Sequence, residues 1–260
     1  MVGIGDLGRY LAVKLIPRAP AAERVRAGGS SYRDPGTYYV DGYMTGTFRP
    51  GAALDRLNAT IARIQQPELQ PPFTWKQKYD RTQDLRPSVY EYDTSFVDVL
   101  FESAIPSLLK RVTGFDLFLA HIQLRRVFPG KSYMDWHRDT YIYGRKTVGN
   151  LPPVHKLIFY PTSGRAPEPR LRISVGSHRR MLQSRIRDVA EATRTTAETI
   201  WSSDDAYVLF DSSLLHAVVP ETRSVGSIRV IYEFCHDLQL AAFQEHTALQ
   251  AAYRSRLTGT

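Results

Sequence analysis

A chain of 260 residues, 43% hydrophobic and 11% aromatic, has the means to bury the core of one generous domain, which excludes a largely disordered polymer. No apolar run reaches the ~20 residues that span a bilayer, the start carries Asp6 and Arg9 without a secretory pattern, and the single cysteine, Cys235, can form no intrachain disulfide, so a cytoplasmic protein with no membrane partner is expected. The formal charge of +8 leaves nucleic acid, an anionic surface or acidic small molecules open as partners, beside the plain alternative of a solvated basic surface.

In chain order, residues 7–13 and 21–26 have the composition of short helices, the second stopped by Gly28-Gly29. Tyr38 to Met44, with Gly42 inside it, reads as strand–turn–strand. Leu54, Leu57, Ile61 and Ile64 recur at helical spacing within 51–65. Residues 66–93 hold Pro67, Pro71, Pro72 and Pro87 among many polar side chains, which predicts a long irregular loop and a candidate lid. A helix is expected from Phe96 to about Val112, kinked at Pro106 and stopped at Gly114.

Beyond Phe115 the chain breaks into short β-like runs, at 116–127, 131–136, 154–160, 170–175, 206–210, 214–219 and 227–234, interrupted by a helical insertion at 183–199. This pattern predicts a mainly β fold with flanking helices, a sandwich or jelly roll, as a single domain over 1–260. Cys235, at the end of the last run, reads as a small buried strand residue.

Within this β-rich half stands His137-Arg138-Asp139. On a strand His137 and Asp139 would share one face, with Arg138 on the other, and two such donors can hold one divalent metal. The competing reading is a hydrogen-bonded turn. His216, between Leu215 and Ala217, reads either as a core histidine or as the second imidazole of a two-histidine, one-carboxylate set. Arg229 sits between Ile228 and Val230 in the last strand. Buried there, it would require an anionic partner, either a bound carboxylate or a protein acid such as Glu233 or Asp237.

These residues resemble the phytanoyl-CoA dioxygenase-like group of iron(II)/2-oxoglutarate oxygenases. The likeness rests on Asp41-Gly42-Tyr43 before the first helix, and on a helix, glycine turn and strand from Leu108 to Pro129-Gly130. It continues with His137-Arg138-Asp139, the Gly176-Ser177-His178 segment, His216 and Arg229, and it spans residues 38–236. The resemblance implies a double-stranded β-helix, a cupin-like jelly roll. It implies iron(II) held by His137, Asp139 and His216, with 2-oxoglutarate held by Arg229 and dioxygen as the third reactant. Gln123 or Arg125, and Lys156 or Tyr160, are expected as further 2-oxoglutarate contacts, with Gln123 and Lys156 preferred. His178 is expected to be structural. Asp139 argues against halogenation, because halogenases of this kind replace the carboxylate with a small residue.

Two departures stand out, Arg138 between the ligands and Arg165 to Arg170 before Leu171. Trp136, Tyr141, Tyr143, Arg145 and Lys146 flank the motif, Trp136 more in keeping with a core role and the others near a pocket. The implied function is oxidation, chiefly hydroxylation, of a C–H bond in a small carboxylated or phosphorylated metabolite of secondary or antibiotic metabolism, releasing succinate and carbon dioxide. Alternatives are a nucleic-acid demethylase, for which no binding motif is present, a cupin-type metalloenzyme without 2-oxoglutarate, and a non-catalytic jelly roll, which would be expected to have lost a ligand.

Overall fold

The computed structural model describes residues 37–65, 72–130, 134–139, 154–161, 168–179, 188, 190, 192, 197–202, 204–222, 226–237, 239, 240, 243 and 247–259. The expected N-terminal helices at 7–13 and 21–26 lie outside these residues, as do Tyr141, Tyr143, Arg145 and Lys146. No helix among the described residues is long and apolar enough to cross a membrane.

The elements are α1 (Tyr38–Asp41), β1 (Tyr43–Thr47), α2 (Ala52–Ile64), β2 (Thr74–Tyr79), β3 (Thr82–Arg86), α3 (Val89–Tyr92), α4 (Ser95–Glu102) and α5 (Ile105–Thr113). There follow β4 (Phe118–Val127), β5 (His155–Phe159), β6 (Glu168–Ser174), β7 (Ala197–Ser202), β8 (Ala206–Asp211), β9 (His216–Val218), β10 (Ser227–Cys235) and α6 (Thr247–Thr258). Seven strands form one antiparallel sheet in the order β1-β8-β5-β10-β4-β3-β2, and three form a second in the order β7-β6-β9. The run 134–139 attaches to the free edge of β9: Val218 N–H donates to the Met134 carbonyl (3.1 Å), and His137 and His216 exchange backbone bonds of 2.9 and 3.0 Å. The result is a double-stranded β-helix with helices packed on the outer face of the large sheet.

Alternation along the strands separates two cores. Leu157, Phe159, Leu209, Val230 and Tyr232 face outward and pack with Leu54, Leu57, Ile61 and Ile64 of α2, as their helical spacing predicts. Ile158, Val208, Phe210 and Ile231 face the barrel interior, where they meet Leu171, Ile173, Ile200 and Val218. Cys235 is fully buried beside Ala120, Val154 and Leu240.

Several elements depart from expectation. Tyr38–Asp41 is a helical turn and not a strand: Gly42 takes a left-handed φ of +83° and returns its N–H to the Tyr38 carbonyl at 2.8 Å. That local bond outweighs the alternation of Tyr38 and Val40. Within 66–93, read as an irregular loop and candidate lid, residues 74–86 form a hairpin whose β3 pairs with β4. Its strand signal is hidden because the inward residues Thr82 and Asp84 are polar, a choice tolerated because Asp84 binds Arg125 at 2.8 Å. The expected single helix from Phe96 is two helices, broken at Ala104 (φ +55°) rather than kinked at Pro106, which sits in the first turn of α5 where its missing N–H costs nothing. The run 131–136 is not a strand over its described part, and only His137 forms a bridge. In 183–199, positions 188, 190 and 192 are helical, but the end belongs to β7, whose Ala197 and Ile200 are buried.

Two predictions follow from this packing. A Cβ at Gly42 would meet His178 Nδ1 at 2.4 Å and Leu214 Cδ1 at 2.7 Å in addition to the φ penalty. Gly42→Ala is therefore expected to cost at least about 1–3 kcal/mol in chemical denaturation. Burial, with Glu233 and Asp237 nearby, pushes the Cys235 thiol up to about 12. A thiol reagent should leave the native protein unlabelled at neutral pH and label it only after denaturation.

Candidate metal centre

The backbone exchange between His137 and His216 brings the two imidazoles to 4.2 Å between ring centroids. A further bond, from Asp139 N–H to the Ser212 carbonyl (2.9 Å), seats the carboxylate beside them. Nε2 of His137 lies 3.4 Å from Asp139 Oδ1, and Nε2 of His216 lies 3.5 Å from Asp139 Oδ2. One donor atom from each residue falls within 4.8 Å of the others, and all three residues are buried. The two ligands adjacent in sequence converge although their segment is not a regular strand.

The tautomers are set from behind. His137 Nδ1 donates to the Asp135 carbonyl at 2.7 Å, and His216 Nδ1 donates to the Leu214 carbonyl at 2.9 Å. Each ring therefore turns the Nε2 lone pair toward the shared centre. Burial alone would raise the Asp139 carboxyl, but Lys156, His216 and His137 outweigh it and hold it well below the ordinary range. Burial, helped by His137 and Lys156 and opposed by Asp139 and the Leu214 carbonyl, pushes His216 down to about 3. Neutral imidazole and ionised carboxylate are the states a divalent metal needs. His137 Nε2 is buried without a hydrogen-bond partner, which suits a metal-ligating nitrogen. On these observations the residues fit iron(II) or a similar ion on one face of its coordination sphere, with the opposite face left to other ligands.

The neighbouring interior face of the large sheet is charged. Arg229, 2% exposed, shares that face of β10 with Ile231 and Glu233, and its guanidinium carbon lies 5.9 Å from the Tyr160 ring centroid. Of the acids named as its possible partners, Glu233 contacts Lys156 at 2.9 Å and Asp237 pairs with Arg254. Lys156 also reaches Asp139 Oδ2 at 3.1 Å, so it stands between the carboxylate ligand and Glu233. Gln123 donates to Asp84 (2.7 Å) and accepts from Arg125 (2.8 Å), and both belong to a network along the same interior face. His178 lies outside the cluster and donates to the Tyr39 carbonyl at 2.9 Å. Trp136 packs with Ala192, Ala197, Leu215 and Ala217 in the core. The sequence offers Glu233 only as a partner for Arg229, two residues beyond Ile231 on the same strand face, and does not show its contact with Lys156.

Fold and site together define a double-stranded β-helix carrying a two-histidine, one-carboxylate constellation. No protein-family model and no curated protein matches the chain. Solved structures share the fold at low identity. AviO1 from Streptomyces viridochromogenes Tue57 matches at a TM-score of 0.57 and 16% identity, over 78% of this chain and 93% of that one. HygX from Streptomyces hygroscopicus, solved with nickel, 2-oxoglutarate and hygromycin B bound, matches at 0.52 and 14%, over 78% and 86%. The epimerase SnoN, in complex with Fe3+, alpha ketoglutarate and nogalamycin RO, matches at 0.56 and 10%, over 77% and 81%.

The depressed His216 gives a pH dependence with a definite sign. Between its ordinary value of 6.5 and about 3, the unfolded chain takes up a proton that the folded apoprotein refuses, so stability falls as pH falls. Asp139, also depressed, adds the same sign at the acid end. The melting temperature of the apoprotein should drop from about pH 7 to about pH 4, with His216→Gln flattening the dependence.

Proposed function

We propose that this protein is an iron(II)/2-oxoglutarate-dependent oxygenase that hydroxylates a C–H bond of a small metabolite in secondary or antibiotic metabolism. The observation that carries the reading is the buried convergence of His137, Asp139 and His216, with both Nε2 atoms aimed inward. The presence of 2-oxoglutarate with nickel in HygX and of alpha ketoglutarate with Fe3+ in SnoN, on the same fold, supports it.

In this reading the triad holds the ion. Arg229, buried on the adjoining strand face, receives the distal carboxylate of 2-oxoglutarate in a two-point contact and so sets the orientation of the cosubstrate. Lys156 holds Asp139 in its ionised form through their 3.1 Å contact. Ile158 and Ile231, both buried on the interior face, keep water from that part of the barrel. When bound, iron with 2-oxoglutarate and dioxygen supplies the oxidising power, the cosubstrate leaving as succinate and carbon dioxide. The positive balance of the chain favours a carboxylated or phosphorylated substrate, and a cytoplasmic setting suits the cosubstrate.

Anaerobic titration of the apoprotein with iron(II) and 2-oxoglutarate tests the assignment through the weak visible charge-transfer band of the chelate. The band should form in the wild type, vanish in His137→Ala and weaken in Asp139→Ala. In Arg229→Ala it should need about 10–100-fold more 2-oxoglutarate, as expected for loss of a charged hydrogen-bonded contact. Iron binding without a band would leave a cupin-type metal centre and remove 2-oxoglutarate from the reading. Oxygen uptake stimulated equally by neutral and anionic metabolites would remove the anionic substrate.

A further inference from the structure

Arg138 lies between two of the candidate ligands and points away from them. Its guanidinium is almost completely buried, and a buried guanidinium is tolerated only where its donors find acceptors. Nη1 donates to the Ser177 carbonyl at 2.8 Å and to the Ser213 carbonyl, and Nη2 lies 3.0 Å from Oδ1 of Asp188, itself fully buried. The two carbonyl contacts lead to segments that place a ligand. Ser213 is in the turn that enters His216, and its neighbour Ser212 accepts the Asp139 N–H at 2.9 Å. Ser177 accepts the Leu215 N–H on its hydroxyl at 2.8 Å, one residue before His216. Asp188 belongs to the stretch between β6 and β7, remote in sequence from both ligand segments.

We infer that Arg138 and Asp188 form a buried clamp that positions the metal triad from behind. The clamp ties the segment bearing His137 and Asp139 to the turn that delivers His216, so ligand spacing depends on the charge supplied by Asp188. Two carbonyl acceptors and a carboxylate at ion-pair distance, set in different directions, suit the planar fork of arginine and not the single point of a lysine ammonium. Neither residue belongs to the donor cluster, so both act by positioning. The inference rests on the metal reading above.

The test is a cobalt(II) titration of the full-length apoprotein, following affinity and the visible d–d spectrum, with apoprotein melting recorded separately. Asp188→Asn and Arg138→Lys are expected to lower cobalt affinity about 10–100-fold, the range for lost outer contacts of metal ligands, and to change the d–d spectrum. Leu249→Ala, which opens a cavity in α6 away from the clamp, should lower the melting temperature and leave affinity and spectrum unchanged. If Arg138→Lys fails to fold, Asp188→Asn carries the test. Variants that melt early yet bind cobalt with wild-type affinity and spectrum would overturn the clamp and leave the metal reading intact. A wild type that binds no cobalt would overturn the metal reading, and the clamp with it.

Discussion

Two backbone hydrogen bonds, exchanged between His137 and His216, hold the candidate site together. With the bond from Val218 N–H to the Met134 carbonyl, they tie an otherwise irregular run to the strand bearing the second imidazole, at the edge of a three-stranded sheet. Because the bonds close on the ligand residues themselves, the imidazoles meet without help from long flexible side chains. The Nδ1 bonds to Asp135 and Leu214 then decide which way each lone pair faces. Short local bonds of this kind restrict a ring to one orientation before any ion arrives, which reduces the ordering that binding must impose.

The interior of the barrel is divided by chemistry as much as by shape. One part is apolar, with Ile158, Phe210, Leu171 and Ile173 in mutual contact. The other carries Asp139, Lys156, Glu233, Arg229, Arg125 and Asp84, all buried or nearly so. Charges in such a place persist only by compensation. Lys156 between two carboxylates and Arg125 in bidentate contact with Asp84 show how it is done here. The same compensation keeps Asp139 ionised in spite of its burial. Replacing such pairs with well-packed hydrocarbon is often neutral or stabilising, so the accumulated charge contributes little to stability for its area.

Expectation and structure part where local pattern and tertiary pairing disagree. The α2 stripe and the apolar runs of β5, β8 and β10 show their period in the sequence because their buried faces are apolar. The β2–β3 hairpin does not, because Thr82 and Asp84 point inward and read as solvent-facing. Tyr38–Asp41 alternates like a strand but closes as a turn on Gly42. Glu233 and Asp188 carry no motif, and each meets a counter-charge far along the chain, Lys156 in one case and Arg138 in the other.

The sequence by itself determined the β-rich class of the fold, through strand-length runs and turn residues, which are local properties. It offered His137, Asp139 and His216 as candidate donors, with Arg229 in the last strand, through their resemblance in type and order to the iron(II)/2-oxoglutarate oxygenases. The tertiary structure alone decided that the three donors converge within 4.8 Å, that Lys156 stands against Asp139, and that Arg138 turns away to meet Asp188. Those outcomes depend on sheet register and on buried charge finding its counter-charge across long loops. Neither leaves a periodic trace in the chain, because the free energy of a buried ion pair is a property of two distant residues and the volume that encloses them.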